Sequence, residues 1–387
     1  MNRTILALLL TPLLLTQTES RGDGVPLPSA GSPVPSVLYC ADADFPTRLA
    51  AHEVRRYLYL RTGSLADLVS EAEAPPDGDW IIVASGGSPL ARQAGFDTDD
   101  FEGLAEGGYL LRTLESGSGR VLGICGVDGI GTLYGAYHFA GLLGVRFHID
   151  EDVLPDGRME FSMIDLDVRE EPLFARRGIL PFNNFPEGPD WWDLCDYKAY
   201  LSQLAKMRMN FLGLHCYPGV PWGPEPTVWM GLPGDVNEDG TVSAASPSSF
   251  HTTARLNAYG EESESTKRWW GYSPTRTSDF AAGASRLFHR DSHGPEVMRG
   301  LEFHEQTERD SIELFNRTGR KLRQVFDFGR MLGIRSAVGT ETPLAIPDEL
   351  RARIAEVGLD PDSLEAVNEV YRGMMKRLAL ASPPDYY

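Results

Sequence analysis

The chain has 387 residues, with 36 Lys plus Arg against 55 Asp plus Glu and a formal net charge of −19. Its 42% hydrophobic and 24% charged content excludes wholesale disorder, and 40 Gly with 27 Pro but no three-residue period excludes collagen. The acidic balance opposes general nucleic-acid binding and an electrostatic membrane anchor.

At roughly 150 residues per domain, the length predicts two or three domains. Residues 1–20 read as a secretory signal peptide: Arg3, then the apolar runs Ile5–Leu10 and Leu13–Leu15, then polar Thr16–Ser20. The run is too short and too interrupted to span a bilayer, so a secreted or periplasmic protein without a membrane anchor is expected. Residues 21–35, rich in Gly, Pro and Ser, read as a flexible segment. Cys40, Cys125, Cys195 and Cys216 are too few for a disulfide scaffold and form no CxxC, so buried free thiols are expected.

A first α/β unit is predicted over 36–165. Ser36–Cys40 reads as a strand, Pro46–Thr62 as a helix ended by Gly63, and Trp80–Ala84 as a buried strand. Gly108–Thr113 and Arg120–Val127 read as a strand pair around a Ser-Gly-Ser-Gly turn, followed by a helix over Gly129–Leu143.

The second unit spans 174–387. A short strand centres on Ile179–Leu180, a helix covers Asp196–Met209 and an apolar strand covers Asn210–Cys216. Residues 218–302 form a long insertion rich in Gly, Pro, Ser and Trp. A helix over Glu305–Leu332, a strand over Ile334–Val338 and helices over Asp348–Val357 and Ser363–Leu380 complete the chain. Strands alternating with helices predict an α/β fold with a parallel sheet.

Polar residues directly after the second unit's strands are the site candidates: Asn183 with Asn184, His215 with Cys216 and Tyr217, and Glu341 between two threonines. In a barrel of alternating strands and helices, those ends form the active face. Six of the seven tryptophans fall between 191 and 270. Indole faces pack against the C–H faces of sugar rings, which makes Trp222, Trp229 and Trp270 candidate substrate contacts. The competing reading gives those rings to the insertion's own core.

Two motifs read as structural. Asp235-Val-Asn237-Glu-Asp239-Gly240 opens like a calcium loop, but Ser246 stands where a bidentate Glu is needed, so a tight Asp-Gly turn is expected. Gly126-Val-Asp-Gly129-Ile-Gly131 lacks the GxGxxG spacing of a dinucleotide site and reads as close strand–helix packing. No metal or cofactor is expected. Asn316-Arg317-Thr318 is a glycosylation sequon within a predicted helix.

Several stretches resemble a known group of enzymes. They are Ala51-His-Glu-Val-Arg-Arg-Tyr-Leu, Thr62-Gly63, Gly126-Val-Asp-Gly-Ile-Gly-Thr-Leu-Tyr-Gly-Ala-Tyr137 and Leu143-Gly-Val-Arg146. They are similar to the small N-terminal α/β domain of α-glucuronidases and hexosaminidases, the hexosaminidase domain 2-like module that precedes a TIM barrel. Arg176-Arg-Gly178 and Met209-Asn-Phe-Leu-Gly-Leu-His215 look like that barrel's first two strands. Glu225-Pro-Thr-Val-Trp229 and Gly339-Thr-Glu-Thr-Pro343 resemble an α-glucuronidase-like bacterial subgroup.

The resemblance implies an exported glycoside hydrolase of plant or algal polysaccharide, using one protonated carboxyl and one carboxylate. In α-glucuronidases the principal acid follows the fourth strand, which here would begin at Asp385-Tyr386-Tyr387. No catalytic residue is therefore assigned, and a barrel truncated after three strand–helix units, inactive alone, is expected. Asn183, His215, Tyr217 and Glu341 are carried as substrate contacts. A non-catalytic carbohydrate-binding or scaffold protein is the alternative. A third reading pairs Glu341 with Asp279 or Asp291 as the catalytic carboxylates.

Overall fold

The computed structural model describes residues 33–70, 78–93, 95–117, 119–181, 192–216, 229–244, 308–340, 346 and 348–387. The chain opens with β1 (Ser36–Tyr39), α1 (Phe45–Thr62), β2 (Leu68–Ser70), β3 (Trp80–Ser85) and the short α2 (Pro89–Gln93). It continues with β4 (Tyr109–Ser116), β5 (Gly119–Gly126), α3 (Gly129–Leu142), β6 (Arg146–Phe147), β7 (Asp152–Val153) and β8 (Asp167–Glu170).

Six of these strands form one sheet in the order β2-β1-β3-β5-β4-β8. The neighbours from β2 through β5 run parallel, whereas β4 is antiparallel to both β5 and β8. Period-two alternation divides the buried residues between the faces. Val37, Ile81, Val83, Leu122 and Ile124 meet Ala50, Val54, Leu58, Leu133, Ala136 and Ala140 of α1 and α3. Leu38, Ile82, Ala84, Val121 and Cys125 meet Leu90, Ala91 and Phe96 on the other face.

Both long helices start on side-chain caps. The Asp44 carboxylate accepts the Thr47 N–H at 2.9 Å, and Asp128 accepts that of Gly131 at 2.6 Å. A Cβ on Gly126 would land on the Thr132 backbone nitrogen, and one on Gly131 on the Gly108 carbonyl. The glycines of this stretch serve close strand–helix packing, as the sequence predicts.

The second sheet is built from β9 (Gly178–Ile179), β10 (Phe211–Cys216) and β11 (Arg335–Thr340), side by side in chain order and parallel. Helix α4 (Leu194–Lys206) lies between β9 and β10 in the chain, and α5 (Glu308–Met331) leads into β11. Helices α6 (Asp348–Glu356) and α7 (Leu364–Ala381) follow. Leu212, Leu214 and Val338 are buried in one core with Leu201 and Leu204 of α4 and with Leu322, Val325 and Phe326 of α5. After α7 the chain returns to the sheet. Tyr386 bridges Ala337 in parallel, and its carbonyl accepts the Val338 N–H at 3.0 Å.

The units share a buried core and a polar junction. Asp152 of β7 accepts Lys206 Nζ and the Tyr57 hydroxyl, each at 2.8 Å, and Gln203 Nε2 at 3.1 Å. Burial alone would raise this carboxyl's pKa, but the hydrogen bonds from Lys206 and Tyr57 hold it below the usual range.

Three sequence expectations change, and one side chain gains partners. The first sheet extends to β8, beyond residue 165, because Asp167–Arg169–Glu170 pair with β4 as a polar edge that carries no apolar period. Strands β2, β6 and β7 and helix α2 are too short to leave a pattern. Cys40 and Cys125 are buried free thiols, but Cys195 is an exposed one at the start of α4. Burial pushes the Cys125 thiol up to about 12. The Asn316 side chain is not a free sequon acceptor: it binds the Val242 N–H at 2.8 Å and the Val242 carbonyl at 3.3 Å.

Candidate active face at the parallel strand ends

The candidate face is set by the register of β10 and β11. His215 lies opposite Gly339 and Cys216 opposite Thr340, so both strands end level. The carboxyl ends of β10 and β11 thus lie side by side, and the carboxyl ends of parallel strands are where ligands bind in α/β folds.

The opposite ends of the strands are pinned by one amide. Asn210 Oδ1 accepts the Arg177 N–H at 2.9 Å, and its Nδ2 donates to the Ala175 carbonyl at 2.9 Å. Its backbone N–H donates to the Arg177 carbonyl at 2.7 Å, and its own carbonyl accepts the Arg335 N–H at 2.9 Å. One residue thus holds the starts of β9, β10 and β11.

Asp385 does the same for the strand position beyond β11. Its carboxylate accepts the Ser336 N–H at 2.7 Å, the Ser336 hydroxyl at 3.1 Å and Arg330 Nε at 3.2 Å. Burial would raise its pKa, but the Ser336 N–H and the Arg330 guanidinium bring it below the usual carboxylate range. Arg176 stacks over the Tyr386 ring at 4.4 Å, and the Phe211 ring lies 6.1 Å from it. Sequence reasoning placed Asn210 and Asp385 only as strand starts; the tertiary partners that define both are invisible in a local pattern.

The predicted site residues divide as follows. His215 is the penultimate residue of β10, next to Gly339 in register. Asn183, Tyr217, Trp222, Trp270 and Glu341 lie outside the described residues, as do Asp279 and Asp291. Trp229 is 1% exposed and packs with Val236, Val242 and Phe315, while its indole N–H donates to the Ala244 carbonyl at 3.0 Å. It is a core side chain, which removes it from the substrate contacts. Trp192 is likewise packed, against the rings of Tyr197 and Tyr200. Trp229 is packed as a core ring, and Trp192, outside the 218–302 stretch, packs on α4.

The calcium-like stretch forms a hairpin. Val236 bridges Val242, the Asn237 N–H donates to the Thr241 carbonyl at 2.8 Å, and Gly240 turns the chain at φ +82°. Asp239 accepts the Thr241 N–H at 2.9 Å, and Asp235 is paired to Arg353 at 3.0 Å. The tight Asp-Gly turn is the structure found. Among the described residues, no group of three His, Cys, Asp or Glu is placed to hold a metal ion, and no helix is long and apolar enough to cross a membrane.

Comparison with known proteins agrees with the sequence resemblance. Residues 29–139 match the family model described as the glycosyl hydrolase family 67 N-terminus. That stretch resembles the N-terminal domain of this glycosyl hydrolase family. No curated protein matches it. Among solved structures, a family GH115 4-O-methyl-α-glucuronidase with specificity for decorated arabinogalactans shares 22% identity. That match covers 48% of this chain and 25% of the other, at a TM-score of 0.37. A GH138 enzyme targeting pectin rhamnogalacturonan II shares 11% over 91% of this chain and 30% of the other, at 0.45. The GH20 β-N-acetylhexosaminidase from Streptomyces coelicolor A3(2) shares 11% over 80% and 43%, at 0.35. The chain spans less than half the length of each of these proteins.

Proposed function

We propose that this α-glucuronidase-like chain is the N-terminal domain and opening barrel strands of an exported glycoside hydrolase acting on a uronic-acid-bearing polysaccharide. The observation that carries the reading is a pairing of sequence and topology. A stretch matching the family 67 N-terminal model precedes strands that lie in chain order and parallel, with Tyr386 taking the next position beside β11. Consecutive parallel neighbours are how a (β/α) barrel grows.

In this reading, Asn183, His215, Tyr217 and Glu341 contact the sugar at the strand ends, and Trp222 and Trp270 contribute aromatic faces. The acid and its partner carboxylate come from strands after Tyr386. Hydrolysis then follows the usual two-carboxylate scheme.

The test is an activity screen of the gene product carried beyond Tyr387, on aryl glycosides and uronic-acid-decorated xylan. Release of uronic acid is expected. No sugar release across a broad panel, with the protein folded, overturns the reading.

A further inference from the structure

A second polar junction joins the units, away from the strand ends. The Tyr109 hydroxyl of β4 donates to Glu170 Oε2 of β8 at 2.7 Å and meets His138 Nδ1 of α3 at 2.9 Å. Arg208, in the turn between α4 and β10, donates to the same hydroxyl at 2.6 Å and to Glu170 at 3.1 Å. A phenol has one proton and two lone pairs. With its proton on Glu170, it accepts from Arg208 and from His138, so Nδ1 of His138 carries a hydrogen.

Arg208 is also the one non-glycine with a positive φ among the described residues, at 61°. That conformation is strained for an ordinary side chain and persists only when its surroundings hold it. Its backbone N–H donates to the Ala205 carbonyl at 2.9 Å, its carbonyl accepts Arg177 Nε at 2.8 Å, and the guanidinium contacts to Tyr109 and Glu170 complete the hold. Two residues on, Asn210 pins the starts of three strands.

We propose that Tyr109, His138, Glu170 and Arg208 form a proton-sensitive latch that holds the α4–β10 turn against the N-terminal domain. His138 faces the Tyr109 phenol from β4, the Glu170 carboxylate from β8 and the Arg208 guanidinium from the turn. A proton taken from solvent puts a second cation beside Arg208, with a single carboxylate to share. Glu170 sits 3.5 Å from the imidazole and then turns toward it, and Arg208 is released. Burial, with help from Arg208, lowers the His138 pKa against the opposing pull of Glu170, so the neutral ring belongs to the closed latch. The closed form is therefore complete above the ordinary imidazole range and weakens as pH falls through it. This device goes beyond the glycosidase reading and does not depend on it.

Hydrogen–deuterium exchange of the full chain at pH 7.5 and 5, corrected for intrinsic rates, tests the latch. Protection of the Met207, Arg208 and Met209 amides is expected to fall by about tenfold. Leu122 and Ile124, in the centre of the first sheet, are expected to keep theirs. His138→Gln is expected to abolish the pH dependence. Glu170→Gln, which removes the group that favours protonation, is expected to move the loss to lower pH. A flat wild-type profile, an equal loss in the central sheet, an unchanged slope in His138→Gln or an unchanged midpoint in Glu170→Gln each overturn it.

Discussion

Lys206 Nζ lies 2.8 Å from both carboxylate oxygens of Asp152, and the two side chains are only 11% and 10% exposed. The pair joins α4 of the second unit to β7 of the first. Removing one member of a buried ion pair leaves the other charged and unpartnered, at a cost of about 3–5 kcal/mol. Asp152→Ala also strips the Tyr57 hydroxyl of its acceptor. A loss of about 3 kcal/mol is expected in urea unfolding, with probes in both units shifting together. A shift confined to one unit would show that the junction does not couple them.

Acid stability follows from the same carboxylates. Asp152, Glu170 and Asp385 all titrate below their ordinary values in the folded chain. The unfolded chain therefore takes up protons first as pH falls. Their stabilisation is complete above pH of about 4.5 and is lost below it, through the folded-state values. The urea midpoint should begin to fall as His138 charges below the ordinary imidazole range and drop more steeply below about pH 4.5, and Asp152→Asn should flatten the second drop.

Trp229 separates packing from sugar contact. Trp229→Ala empties a core site and leaves the Ala244 carbonyl without its donor, so a loss of about 3–5 kcal/mol is expected. Trp229→Phe, measured while still folded, should bind decorated xylan as the parent does in affinity electrophoresis. Lost binding with intact stability would return this ring to the substrate face.

Gly126→Ala places a methyl on the Thr132 backbone nitrogen, which no rotamer change can relieve. Destabilisation of about 3 kcal/mol or more is expected, at the upper end for overpacking. A thermal melt within a degree of the parent would show that β5 and α3 are not held this tightly.

Thiol chemistry should sort the cysteines by burial. Cys195 is exposed, whereas the Cys125 thiol is buried and pushed up to about 12. Cys195→Ser is expected to remove a fast phase of reaction with an aromatic disulfide reagent. Cys125→Ser should leave that phase intact.

The long elements were legible because each carries its own period and punctuation. Gly63 ends α1, and the apolar runs of β3 and β10 are buried on both faces or nearly so, whereas the Asp44 and Asp128 caps show only in the structure. Strand β8 was not legible, since Asp167-Val-Arg-Glu170 becomes a strand only through β4. Tryptophan spacing could not tell a sugar platform from a core, and Trp229 shows which it is at that position. Asn210 and Arg208 act through partners more than 30 residues away in sequence. Their chemistry is ordinary until the fold brings those partners near.

The order of strands also dictates an order of assembly. Ile179 and Phe211 flank a modest loop, but β10 ends at Cys216 and β11 begins only at Arg335. Closing a loop of that length costs about 4 kcal/mol of chain entropy before any ladder bond repays it. Meanwhile α4 and Asn210 already have partners in the N-terminal domain and in β9. Refolding should thus proceed outward from the first sheet, with β11 and the Tyr386 bridge joining last, and the slowest phase should report that edge.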